Sequence, residues 1–126
     1  MTMQTVLIAD DKATGRELIR AVLEKAGFNV IEASDGLEAV RAARENPPDL
    51  IILDLHMPGL DGFGVVQELR RDAVFASKPI VALTASAMQG DRERAISAGF
   101  TGYITKPIHL RALRGEIERL LNSSLP

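Results

Sequence analysis

The stretch LIILDLHMPGLDG, residues 50–62, decides the fold. Its first four residues are apolar, with nothing polar between them. A strand with one wet face alternates apolar and polar side chains, whereas a strand covered on both faces runs apolar throughout. Residues 50–53 therefore read as a strand buried between two helical layers. The run stops at Asp54, and Pro58 with Gly59 signals a turn just beyond.

Two more runs share this character, VLIA at 6–9 and IVAL at 80–83. The runs at 28–31 (in FNVIE) and 102–105 (GYIT) mix polar residues in, which suits sheet edges. Between the runs lie helical periods. Leu18, Ile19, Val22, Leu23 and Ala26 form one stripe, and Leu110, Leu113, Ile117, Leu120 and Leu121 form another. Asp35 and Glu38 read as a capping box. Gly27 and Gly99 each follow an Ala and precede a Phe, as helix stops do. The βα unit thus repeats along the chain, which predicts an α/β fold with helices on both faces of a parallel sheet. Central runs one, three and four, with two and five outside, give strand order 2-1-3-4-5. This is the five-stranded, doubly wound, flavodoxin-like (βα)5 arrangement, built with right-handed crossovers.

The chain has 126 residues, enough for one domain over 1–126, with a core from about 4 to 121 and a frayed NSSLP tail. Net charge is -2, and no Lys/Arg block offers a phosphate-backbone footprint, so no direct nucleic-acid partner is expected. Cysteine is absent, which excludes disulfides and thiolate chemistry. No signal-peptide or membrane-spanning pattern appears, so a soluble, cytoplasmic protein without a membrane partner is expected.

Function is read at the carboxyl end of each strand. The first run leads into Asp10-Asp11, the third into Asp54, the fourth into Thr84 and the fifth into Lys106-Pro107. Ligands in open α/β sheets bind beyond the carboxyl ends of the strands. Three carboxylates about 5 Å apart repel by roughly 3 kcal/mol per pair at an effective dielectric of about 20. A hard divalent cation relieves this, and few carboxylates with room for phosphate suit Mg²⁺, or Mn²⁺ in its place. Lys106 offers a point charge for a phosphoryl oxygen, Thr84 a hydroxyl donor, and a carboxylate nucleophile forms an acyl phosphate. Taken singly, each residue has a bland explanation: Asp10 a helix N-cap, Asp54 a turn aspartate, Thr84 a strand-end hydroxyl, Lys106 a solvated charge. Their convergence at strand ends has none.

Together, Asp10-Asp11, LIILDLHMPGLDG, LTASAM and YITKPI resemble the receiver domain of two-component response regulators, across essentially the whole chain. The resemblance implies that Asp54 is the phosphoacceptor, taking phosphate from a histidine kinase or a histidine phosphotransfer protein. It implies Asp11, Asp54 and the His56 backbone carbonyl as Mg²⁺ ligands, with Asp10 holding a metal-bound water. Thr84 and Lys106 are implied to sense the phosphate and Tyr103 to be the aromatic switch. The Lys106–Pro107 bond is expected to be cis. The output surface is expected on the face of the fourth helix, fifth strand and fifth helix, meeting a downstream protein that the sequence leaves unknown. A monomer or weak dimer is expected.

Lys12 departs from the usual pattern, standing where an acidic or amide residue is frequent. His56 reads first as a solvated loop histidine; its side chain and that of Ser86 would otherwise flank the hydrolytic water. His109 needs no function. The starting Met and finished last helix favour a stand-alone regulator over a receiver cut from a hybrid kinase or phosphorelay. Outside the family, a small Asp-nucleophile phosphatase is disfavoured, since the acids are adjacent and Lys12 replaces the second one. Flavin binding is disfavoured by the acidic DDKATG loop.

Overall fold

The computed structural model describes residues 3–85 and 89–123. Five parallel strands, β1 (Thr5–Ala9), β2 (Asn29–Ala33), β3 (Leu50–Asp54), β4 (Ile80–Thr84) and β5 (Gly102–Thr105), form one sheet in order β2-β1-β3-β4-β5. Helices α1 (Ala13–Lys25), α2 (Gly36–Glu45), α3 (Gly62–Arg70), α4 (Gln89–Ala98) and α5 (Leu110–Ser123) alternate with them. The expected order and fold class are those observed.

Alternation along each strand explains the apolar runs. Val6 and Ile8 of β1, Leu50 and Ile52 of β3, and Val81 and Leu83 of β4 join Ile19 and Leu23 of α1 and Leu113 and Ile117 of α5 in one core. The residues between them, Leu7 and Ala9, Ile51 and Leu53, Ile80 and Ala82, join α2, α3 and α4 in the other. Each central strand therefore carries an apolar side chain at four successive positions, 6–9, 50–53 and 80–83. Burying one Leu or Ile is worth roughly 1.5–3 kcal/mol, so both layers contribute heavily to stability.

Gly27 and Gly99 end α1 and α4 as expected, each at positive φ. In both, the glycine N–H and the following Phe N–H turn back to carbonyls of the last helical turn, a Schellman closure. Asp35 caps α2 by accepting the Glu38 N–H at 2.8 Å. The box is half of the expected one, because the Glu38 carboxylate takes the Ser34 hydroxyl at 2.8 Å instead.

Other expectations shift. The second strand begins at Asn29 and runs on through Glu32 and Ala33, because Phe28 is used by the α1 closure. Leu18 and Leu110, members of the two helical stripes, are 49% and 39% exposed. Each lies at the margin of its helix's core face, where Ile19 and Leu23, or Leu113 and Ile117, take the buried positions.

Candidate metal and phosphoryl site

By the same alternation, Asp10 and Asp54 continue the strand rows that face α1 and α5, and Lys106 continues the row of Gly102 and Ile104. Thr84 continues the opposite row, that of Ile80 and Ala82, and Tyr103 packs against that second core. One end of the sheet thus sorts its polar groups onto two sides.

On the first side lies a charge cluster. The Lys106 ammonium donates to Asp54 Oδ2 at 3.0 Å and to Asp10 Oδ2 at 3.2 Å. Both carboxylates are buried, at 4% and 1% exposure. The His56 backbone N–H donates to Asp54 Oδ1 at 2.9 Å, and the Lys12 N–H donates to Asp10 Oδ1 at 2.9 Å. Asp10 therefore does not cap α1; the N-cap is Lys12, which makes no side-chain cap bond. Asp11 is exposed, and one oxygen from each of the three acids lies within 4.8 Å of the others.

Burial raises the Asp54 carboxyl above the usual carboxylate range, and nearby Asp10 adds to the rise. The His56 N–H and Lys106 oppose it without cancelling it. For Lys106, burial pulls the other way, but the bonds and charges of Asp54 and Asp10 outweigh it and hold the ammonium charged. With all four groups ionised, three negative charges against one positive leave an excess of two, the charge of one divalent cation. The donors are all oxygen, and few, which fits Mg²⁺ or Mn²⁺ better than a softer ion.

Two features carried no clear signal in the sequence. Gly62 opens α3 flush against the end of β3: a Cβ there would lie 2.6 Å from the Asp54 carbonyl oxygen and 2.9 Å from Leu55 Cα. Only its place in a Leu-Asp-Gly turn hinted at a close approach. Arg16, one turn into α1, donates from Nη1 to the Asp10 carbonyl at 2.6 Å and from Nε to Glu32 Oε1 at 3.3 Å.

Thr84 is buried at the end of β4, and its carbonyl accepts the Lys106 N–H at 2.7 Å. The Lys106–Pro107 bond is cis. Tyr103 is half-buried, whereas the His56 and His109 side chains are exposed. Ser86 lies outside the described residues. Asp10, Lys12, Leu18, Lys106, Pro107 and Ile108 help to line a hollow of about 230 Å³ beside the cluster. Among the described residues no helix is long and apolar enough to cross a membrane.

Known proteins resemble this chain in sequence and fold. The profile described as response regulator receiver domain matches residues 6–118. The chain is 39% identical over 120 residues to a protein of Guillardia theta described as a probable transcriptional regulator, ycf27. That match covers 95% of this chain and 46% of the relative, so the chain spans about half of that relative's length. The chain is 39% identical over 105 residues to the polar-differentiation response regulator DivK of Brucella ovis, covering 83% of this chain and 85% of that one. A solved receiver domain, from the sensor histidine kinase PA1611 of Pseudomonas aeruginosa PAO1, has a magnesium ion coordinated in its active-site cleft. It is 35% identical, with a TM-score of 0.88, and the match covers 96% of this chain and 99% of that one.

Proposed function

Because this chain belongs to the response regulator receiver domain family of two-component signalling, we propose that Asp54 accepts a phosphoryl group from a phosphohistidine, with a divalent cation bound beside it. The observation that carries this is the cluster itself: one ammonium between two buried carboxylates, and a third acid within 4.8 Å. Asp11 and Asp54, with the His56 carbonyl, would hold the cation, and Asp10 beside them would add to the negative charge that it neutralises. The cation supplies neutralising charge for the phosphoryl oxygens. An Asp54 carboxylate oxygen attacks phosphorus as the P–N bond of the donor breaks; the acyl phosphate forms, and the donor imidazole, already protonated on its other ring nitrogen, keeps the P–N electron pair and leaves neutral. Catalysis here is positioning plus charge neutralisation, and Lys106 already stands on both acids. The apolar rim of Leu18, Pro107 and Ile108 beside Lys106 suits the approach of a histidine kinase or phosphotransfer helix.

Phosphorylated Asp54 draws the Thr84 hydroxyl, and Tyr103 responds, biasing the α4–β5–α5 face toward a protein partner. What supports this is the placement of Thr84 and Tyr103 on the side of the sheet that α4 covers. The same chemistry serves a receiver within a hybrid kinase, a reading favoured by the similarity to the PA1611 receiver.

Incubation with Mg²⁺ and acetyl phosphate or phosphoramidate tests the proposal by intact mass. One added phosphoryl group is expected in the wild type, and none in Asp54→Ala or after chelation of the metal. Sustained turnover of a phosphomonoester would instead revive the phosphatase.

A further inference from the structure

We infer that Arg16 is a positioning residue for the cation site, acting through the Asp10 main-chain carbonyl; this rests on the functional reading above. Asp10 stands one residue past the end of β1, and every polar atom it carries is held. Its N–H donates to the Ala33 carbonyl at 3.2 Å, at the end of β2. Its two carboxylate oxygens accept from the Lys12 N–H and the Lys106 ammonium. Its carbonyl lies beyond the strand ladder and is taken by Arg16 Nη1 at 2.6 Å.

That carbonyl belongs to the Asp10–Asp11 peptide. A peptide unit is planar, so the direction of its oxygen fixes where the next Cα goes. The Asp11 side chain is exposed, and the restraints described at the acid cluster fall on Asp10 and Asp54 instead. Asp11 therefore owes its place beside Asp54 to its flanking backbone, held by the Lys12 N–H bond to Asp10 on one side and by that plane on the other. A carbonyl free to turn toward water would swing the Asp11 carboxylate away from the others.

Arg16 is itself fixed. Its Nε donates to Glu32 at 3.3 Å, and Glu32 is held a second time by Arg20 Nη1 at 2.5 Å. The planar guanidinium thus spans from the β2 edge to the acid pair, a geometry that an ammonium cannot reproduce. The first turn of α1 is close enough for this, since a Cβ on Gly15 would lie 3.2 Å from Asp10 Oδ2. The competing explanation is a staple of α1 to β2 with no bearing on the site. Arg20 separates the two, because it shares Glu32 but does not touch Asp10.

The test is the Mg²⁺ dissociation constant of the unphosphorylated full chain, measured by calorimetry well below the melting temperature. Partners outside the ligand set typically change metal affinity about 10–100-fold, so Arg16→Ala is expected to weaken Mg²⁺ binding by about tenfold or more. Arg16→Lys should fall between it and the wild type, and Arg20→Ala, which reaches Arg16 only through Glu32, should lose clearly less affinity than Arg16→Ala, against the same scale. A wild-type constant in Arg16→Ala, or an equal loss in Arg20→Ala, would overturn the inference. If Arg16→Ala does not fold, an unchanged constant in Arg16→Lys overturns it instead. Failure of the wild type to bind Mg²⁺ would sink the functional reading itself, a result distinct from either.

Discussion

At the residue scale, Asp54 sits in a place that works against its own charge. Its carboxyl is raised above the ordinary 3.8, chiefly by burial. Between 3.8 and that higher value the folded chain keeps a proton that the unfolded chain gives up, so stability falls as pH rises through this window. At pH 7 and without metal, the ionised group is a burden. Asp54→Asn should therefore raise the melting temperature at pH 7, by roughly 3–5 °C if the burden is about 1 kcal/mol. The gain should fade as pH is lowered through 3.8 and be gone by about pH 3, where the carboxyl is protonated in both states. Scanning calorimetry across pH in chelator reads both ends. Asp54 and its neighbours were legible in the sequence because a parallel sheet delivers all its strand ends to one rim. Arg16 and Glu32 were not: they meet across sixteen positions, and no periodicity encodes that contact.

At the element scale, one side chain fastens two connections at the opposite rim. Arg70, in the last turn of α3, donates to the Gly99 carbonyl from Nε at 3.0 Å and Nη2 at 2.8 Å. Its Nη1 donates to the carbonyls of Phe75 and Lys78 at 2.5 and 2.7 Å. Burial lowers its pKa, yet arginine remains charged. Arg70→Ala removes the arginine donor from three main-chain carbonyls, of which Phe75 keeps a long bond from the Lys78 N–H at 3.4 Å, and should destabilise the domain by about 2–3 kcal/mol. Urea unfolding should show a lower midpoint at unchanged slope, with Arg70→Lys recovering only part. Helix boundaries were readable because glycine stops and the Asp35 cap act locally. The start of β2 was not, since Phe28 could equally begin a strand or close a helix, and the α1 closure decides it. The one-sidedness of α4 follows from composition: Ala95 is its one fully buried side chain among those described, with Ile96 48% exposed. A helix held so lightly opens and shifts more readily than its neighbours.

At the scale of the whole molecule, a signal at Asp54 must cross from one side of the sheet to the other. Thr84 is the proposed crossing point. Beryllofluoride, a phosphoryl mimic, should change amide exchange across 89–105 in the wild type, by about 5–150-fold if the coupling is of ordinary strength. Thr84→Ala should still bind the mimic but lose most of that change. Equal responses in both proteins would remove Thr84 from the route.

The division of the sheet end into two sides has a consequence for how such a chain can be altered. Among the described residues, the side-chain bonds of the acid cluster and the main-chain bonds of Asp10 run to α1 and its N-cap Lys12, to β2, to the His56 N–H in the loop after β3, and between Lys106 and the two acids, on the side of the sheet away from α4. The outward residues of α4, such as Arg92, Glu93 and Ile96, are therefore open to rewriting at little cost to the acid cluster. Distant substitutions with no shared partner combine additively. Lineages that diverge in whom they address could keep the same reactive rim intact, and an engineer could retarget the output by resurfacing one helix.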